Sequence, residues 1–266
     1  MSEFVTPYLL IQDALDPGDL EFLRSACKQY LFQEGIPCYV LINNLESPTF
    51  IKIKTSLEQR LGESLYYLND FYIYTDSSFK TNWHMDTELF TFERAINAWI
   101  LLSPDVVEDP LGFIDRINDG SERYFHSVRA DGDKYVFGDY STGKVTARSV
   151  ESVEAESIHT PTTKLGDILL LNPKRFHRTN ANVPKHALSL KFVLKGGSGF
   201  LSCSQVDPIF WPEVDIYNKL VKSTQTWEDV VDGIRRALKT ETGRKGLSAG
   251  FYPEKFPLYR RMVASL

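Results

Sequence analysis

Gly166-Asp167-Ile168-Leu169-Leu170-Leu171-Asn172-Pro173-Lys174-Arg175-Phe176-His177 is the stretch on which the reading of this chain turns. Gly166 and Asp167 signal a turn, Ile168 to Leu171 is an apolar run of buried-strand length, and Asn172-Pro173 ends it. His177 opens the segment that follows. Further on, Ala187-Leu188-Ser189-Leu190-Lys191-Phe192-Val193-Leu194 alternates with period two, so Ser189 and Lys191 share one face of a strand.

Upstream, His84-Met85-Asp86 gives His177 its partners. In a strand, residues i and i+2 point to the same side, so His84 and Asp86 can grip one ion while Met85 faces away. Two imidazoles and one carboxylate on one face of a metal leave three coordination positions open, the arrangement that suits non-haem Fe(II). A His-x-Asp tripeptide recurs by chance, so its surroundings carry the weight. Leu65-Tyr66-Tyr67-Leu68-Asn69-Asp70-Phe71-Tyr72-Ile73-Tyr74 before it is aromatic and extended, and Ala95-Ile96-Asn97-Ala98-Trp99-Ile100-Leu101-Leu102 after it is a strongly apolar strand.

The order His-x-Asp, apolar strand, long excursion, Gly-Asp turn, distal His and Ser-x-basic strand resembles the Fe(II)/2-oxoglutarate-dependent dioxygenases. Within that superfamily it is most similar to the phytanoyl-CoA dioxygenase-like branch, over about residues 5 to 195. The resemblance implies a mostly β fold with flanking helices: a double-stranded β-helix, the jelly-roll or cupin-like barrel, with N-terminal and C-terminal helices. It implies Fe(II) on His84, Asp86 and His177, with 2-oxoglutarate and O2 as cosubstrates and succinate and CO2 as coproducts. The expected reaction is hydroxylation of an unactivated C–H of a small molecule, an amino acid or a natural-product intermediate. Desaturation or cyclisation would share its first steps. Asp86 favours hydroxylation over halogenation, because related halogenases have Gly or Ala in place of the carboxylate.

The chain departs from the family at the cosubstrate anchor. Many members use an Arg two residues before a Ser, and here that position is Ala187. Lys191 with Ser189 is the expected substitute, since an ammonium binds a carboxylate as a point charge. Lys195, Arg175 and Arg178 are alternatives, and Lys191 in a plain ion pair is the structural reading. Asn97 and Tyr72 are expected beside the cosubstrate. Trp83, Trp99, Glu88, Arg94 and Arg116 are expected to meet substrate, against the simpler reading of the aromatics as core and the charges as solvated. His126, His159 and His186 lack a partner at ligand spacing and read as satisfied or exposed.

Asp16-Pro17 opens a helix that buries Leu20, Leu23, Cys27, Tyr30 and Leu31, and a second helix over about 47–63 buries Phe50, Ile53, Leu57 and Leu61. Residues 103–164 form a turn-rich excursion with strands near Tyr135-Val136-Phe137 and Lys144-Val145-Thr146; a connection of that length is commonly a functional lid. After the Gly-rich turn at 196–199, which lacks the signature of a phosphate loop, a helix is expected over Trp227 to Lys239, in a 196–266 appendage. Residues 1–266 read as one catalytic domain.

A net charge of -5, a pI of about 5.6 and no run of Lys or Arg speak against a nucleic-acid partner. Three cysteines without Cys-x-x-Cys spacing fit reduced thiols, no apolar stretch is as long as a membrane span, and no signal-like N-terminus is present. The expectation is a cytoplasmic monomer or homodimer acting on a small molecule, without a membrane partner. An oxygenase acting on a protein or carrier-tethered substrate, and a non-catalytic cupin-like metal-binding protein, are the alternatives.

Overall fold

The computed structural model describes residues 8–33, 40–75, 95–114, 125–131, 134–139, 144–149, 158–172, 176–180 and 184–194. In chain order these form β1 (Tyr8–Ile11), α1 (Pro17–Gln33), a 3-10 turn (Ile42–Asn44), α2 (Pro48–Leu61), β2 (Leu65–Thr75), β3 (Ala95–Ser103), β4 (Val106–Glu108) and β5 (Leu111–Ile114). There follow β6 (Phe125–Asp131), β7 (Lys134–Asp139), β8 (Lys144–Ser149), β9 (Ile158–His159), β10 (Thr162–Lys164), β11 (Ile168–Leu171), β12 (Phe176–Thr179) and β13 (Lys185–Leu194). The expected helix within the 196–266 appendage lies outside the described residues. Among the described residues no helix is long and apolar enough to cross a membrane.

Both N-terminal helices start where short polar side chains can satisfy their free N–H groups. Asp19 N–H donates to Asp16 Oδ1 (3.0 Å) and Asp16 N–H returns the bond to Asp19 Oδ2 (3.1 Å), a reciprocal cap on α1. Ser47 caps α2 by accepting from Phe50 N–H, Pro48 occupies its first turn, and Gly62 closes it with φ 69°. Lys52 on α2 reaches Asp16 (2.9 Å) and Asp19 (2.5 Å), and Thr49 donates to Asp19 (2.8 Å), so the start of one helix is tied to the other. Leu20, Leu23 and Cys27 are buried from α1, and Phe50, Ile53 and Leu57 from α2; Leu61 is half-buried.

Every paired strand runs antiparallel to its neighbours. The largest sheet has the order β1-β11-β3-β13-β2, and a second has the order β12-β5-β9, with β10-β4 and β6-β7-β8 as smaller sheets. Sequence-distant strands lie side by side, as the crossing connections of a double-sheet jelly roll require. Ile96, Ala98, Ile100 and Leu102 of β3 and Leu188, Leu190, Phe192 and Leu194 of β13 pack with the helices. Trp99, Leu101 and Ala187 point the other way, to Leu169 and Leu171 of β11 and to Leu111 and Phe113 of β5. Two cores therefore sandwich one sheet, and the second joins it to the β12-β5-β9 sheet.

The excursion expected at 103–164 is only in part an excursion. β7 and β8 fall where short strands were expected, but β5 and β9 belong to the β12-β5-β9 sheet and bracket the segment between them. The Gly-Asp turn at its end has a clear physical cause. Gly166 adopts φ 91° and a Cβ there would lie 2.7 Å from Leu15 O, while Leu15 N–H donates to Gly166 O at 2.9 Å. Asp167 then accepts from Asp13 N–H (3.0 Å) and Lys164 N–H (3.1 Å), fixing the entry to β11 against the exit from β1.

Two buried titratable groups on the helix side have opposite effects. Asp70 accepts from Val40 N–H (2.6 Å), Leu41 N–H (2.8 Å) and Tyr67 O–H (2.5 Å), yet burial dominates and lifts its carboxyl from 3.8 to about 6. His186 is buried against the Tyr72 hydroxyl, and burial, with the Arg24 charge adding to it, pushes its imidazole from 6.5 to about 4. A raised carboxyl pKa contributes stability below pH 3.8 that is lost as pH rises through 6; a depressed imidazole pKa contributes stability above pH 6.5 that is lost as pH falls through 4. Between pH 4 and 6 the two slopes offset each other. Thermal unfolding across this range should expose them: relative to wild type, Asp70→Asn gains as pH rises, by about 3 kcal/mol in full, and His186→Phe gains as pH falls. Parallel curves for all three proteins would refute both assignments.

Candidate metal centre and the interior face

His177, the second residue of β12, is buried, and its register partner on β5 is Phe113. Directly opposed residues of an antiparallel pair share a face, and Phe113 lies in the core between the two main sheets, so His177 faces that interior with its ring 6.3 Å from the Phe113 ring. On the other side of Phe113 stands His159 of β9, half-buried on the same face. Phe113 also touches Tyr8 across the interior, with ring centroids 5.1 Å apart. Tyr8 belongs to the row Tyr8, Leu171, Asn97, Lys191 and Asn69, which crosses the large sheet by register.

That row brings two of the expected site residues, Asn97 and Lys191, together, and Ser189 joins them from the next row. Asn97 and Lys191 are directly opposed and buried at 5% and 3% exposure, and Asn69 is the register partner of Lys191 on its other side. The buried Ser189 hydroxyl donates to Asn97 Oδ1, which turns the Asn97 amide so that its NH2 serves as donor. One step further along β3 is Trp99, 2% exposed, whose indole N–H has no hydrogen-bond partner among the described residues. A buried unpaired donor costs about 1–3 kcal/mol and calls for an explanation.

Tyr72 does not join this group. It packs in the helix-side core and its hydroxyl is hydrogen-bonded to His186 Nδ1, so it stands on the opposite face of the sheet from Ser189 and Lys191. Arg178 is half-buried, and its Nε donates to Asn180 Oδ1 (3.0 Å). His84, Asp86, Trp83, Glu88, Arg94, Arg116, Arg175 and Lys195 lie outside the described residues. Among the described residues no three His, Cys, Asp or Glu side chains come together as a ligand cluster.

Sequence reasoning missed Lys185, the first residue of β13. It is 1% exposed, burial pulls its amine from 10.5 to about 8, and Nζ donates to Asn180 O at 2.6 Å. Asn180 directly follows β12, so this ammonium crosses from the large sheet to the strand that carries His177. Lys185, Ala187, Ser189 and Lys191 share one parity along β13, and stepping back from Ser189 by twos in sequence would have reached it.

No protein-family model matches the chain. No characterised protein matches it in sequence. Among solved structures it is similar to the non-haem alpha-ketoglutarate-dependent carbocyclase SnoK from nogalamycin biosynthesis, with 14% identity and a TM-score of 0.53 over 74% of this chain and 84% of that one. The epimerase SnoN, solved with Fe3+, alpha-ketoglutarate and nogalamycin RO, gives 17% identity and a TM-score of 0.48 over 76% and 88% of the two chains. EctD from S. alaskensis with bound Fe gives 18% and 0.45 over 70% and 72%. What the chain shares with SnoK is the fold, and this agrees with the jelly-roll topology.

Tyr72→Phe tests the face assignment: it should lower stability by about 1–3 kcal/mol by leaving the His186 ring nitrogen unpaired, with no change in any ligand affinity of the interior site. A variant that weakens ligand binding while keeping its stability would return Tyr72 to the interior.

Proposed function

We propose that the chain is an Fe(II)- and 2-oxoglutarate-dependent oxygenase that hydroxylates an unactivated C–H of a small molecule. The observation that carries this reading is the position of His177, buried on the interior face of a jelly-roll strand at the place the motif order assigns to the distal ligand. His84 and Asp86 complete the ligand set from the connection between β2 and β3. The residues present fit the group: a buried imidazole is a suitable ligand for Fe(II), and the same interior holds buried ammonium and amide groups that a dianionic cosubstrate needs. When bound, the iron activates dioxygen with electrons drawn from 2-oxoglutarate, which leaves as succinate and CO2.

The protein's part is to bind, orient and exclude water. The cosubstrate carboxylate remote from the metal requires a cation, and β13 buries two on this face. Lys191, with Ser189 and Asn97 beside it, is the one the sequence pattern singles out. Lys185 has the stronger claim, because its ammonium sits on the backbone carbonyl of Asn180, the residue that follows the strand carrying His177. We assign the anchor to Lys185. Phe113, Leu169, Leu171 and Leu101 keep the surroundings dry, which strengthens each charge-assisted contact. Trp99 N–H offers a donor to a ligand oxygen, and Trp83, Glu88, Arg94 and Arg116 stand as substrate contacts.

Anaerobic titration of the protein with Fe(II) and 2-oxoglutarate should develop the weak visible charge-transfer band of the chelate, and a metabolite screen should then reveal substrate-stimulated succinate. His177→Ala should lose the band and turnover with an intact fold. Lys185→Met should raise the 2-oxoglutarate concentration for half-saturation at least about tenfold, as loss of one charge-assisted bond implies. A band that persists without His177 would end the proposal, and an unchanged titration in Lys185→Met would return the anchor to Lys191.

A further inference from the structure

Tyr72 and His186 form a buried pair on the helix side of the large sheet, where packing alone calls for no ionisable group. The Tyr72 hydroxyl is hydrogen-bonded to His186 Nδ1, the two rings lie 5.9 Å apart, and both residues are buried. Burial, and after it the charge of Arg24, pulls the imidazole down to about 4, so the ring is neutral near pH 7. Arg24 reaches this place from α1, with its Nε donating to Leu102 O at 2.8 Å. A neutral imidazole with its proton on Nε2 offers the Nδ1 lone pair to the phenol O–H. A phenol paired with a base in this way can be oxidised without leaving charge on its own ring: loss of an electron makes the O–H strongly acidic, and the proton moves across one existing hydrogen bond.

Trp99 connects this pair to the interior. Leu188 of β13 is the register partner of Tyr72 on one side and of Ile100 on the other, and Trp99 directly precedes Ile100 on β3. The Cα atoms of Tyr72 and Trp99 are therefore two strands and one residue apart, about 10 Å by strand spacing, with their side chains on opposite faces of the sheet. Trp99 packs in the interior core with Phe113, whose ring lies 6.3 Å from the ring of His177. Its indole N–H has no hydrogen-bond partner among the described residues. An electron lost from Trp99 is thus not accompanied by its proton, and the indole cation that remains is a strong oxidant. Tyr72, with His186 to receive its proton, gives up an electron more easily, so oxidation passes from the interior to the helix side and stops there.

We propose that Tyr72 and His186 are a redox-active pair, reached through Trp99, that takes up the oxidising equivalent released in the interior when oxygen is activated with no substrate in place. The oxidant is the iron centre in that state, which accepts one electron from Trp99. Trp99 is refilled by one electron from Tyr72. The Tyr72 O–H bond breaks as its proton forms an N–H bond at His186 Nδ1, leaving a neutral tyrosyl radical, an imidazolium and an iron centre reduced by one electron. The source of the oxidant rests on the oxygenase reading above, whereas the chemistry of the pair does not. The consequence is protection: side chains around the metal escape oxidation because the radical settles on the far face of the sheet.

The test has two arms, both on the full chain. In the first, metal-free protein is oxidised by photogenerated tris(bipyridine)ruthenium(III) and followed by electron paramagnetic resonance. Radicals on exposed tyrosines couple and decay, whereas a radical shielded at Tyr72 persists, so wild type should show a long-lived neutral tyrosyl signal. Tyr72→Phe should lose that signal, and His186→Phe, which removes the proton acceptor, should cut its yield severalfold and serves as the second variant should Tyr72→Phe fail to fold. A wild type without the long-lived signal, or an undiminished signal in either variant, would overturn the proposal. In the second arm, protein loaded with Fe(II) and 2-oxoglutarate is exposed to oxygen without substrate. The same signal should appear, and over repeated exposures the charge-transfer band should fade severalfold faster in Tyr72→Phe than in wild type. A wild type that forms the band but yields no Tyr72 radical would overturn the link to the interior and the proposal with it. Failure to form the band at all is a different result: it ends the oxygenase reading, while the first arm still decides whether the pair is redox-active.

Discussion

The period-two alternation along β3, β11 and β13 is the constraint on which the rest of the structure depends. Each of these strands is buried on both faces, so their residues divide between two cores rather than between a core and solvent. The helix-side set is aliphatic and aromatic, with Asp70 and His186 each held by specific hydrogen bonds. The interior set is apolar toward Leu101 and Ala187 and polar at Asn97, Ser189 and Lys191. A slip of one residue in the pairing of β13 would put Lys191 against α2 and Phe192 into the site, so the same register that builds the fold also aims the chemistry.

Much of this was legible in sequence, and the reasons are specific. The α1 and α2 boundaries could be read because Asp16, Pro17, Ser47 and Pro48 act through local geometry. The Gly166-Asp167 turn could be read because its conformation needs a residue without a side chain next to Leu15 O. The shared face of Ser189 and Lys191 followed from the alternation itself. Tyr72 was placed on the wrong face because the alternation of β2 is broken: Tyr67 and Tyr72, of opposite parity in sequence, both pack in the helix-side core, and the register shift opposite Lys191 and Phe192 that allows this is a long-range feature. β5 and β9, four and two residues long, were hidden in the excursion for the opposite reason: they are too short to show a period, and their pairing with β12 is a long-range fact.

Lys185 escaped for a third reason. The family pattern was counted from the serine, which leads to Ala187, and a lysine next to a turn reads as solvated. Its burial depends on β12 ending where Asn180 can offer a carbonyl, and no local pattern encodes that.

The placement of positive charge bears on the proposal that this interior holds an anionic cosubstrate. Burying an ammonium is costly unless it is paired or hydrogen-bonded, and β13 does so twice within ten residues. At Lys185 the cost shows in an amine pulled down to about 8 by burial. A jelly roll built for stability alone would fill these positions with leucine, as it does at Leu188 and Leu190 on the opposite face, where replacement of charge by well-packed hydrocarbon is neutral or favourable. The contrast between the two faces of β13, aliphatic toward the helices and cationic toward the interior, is what the proposed binding of an anionic cosubstrate draws on.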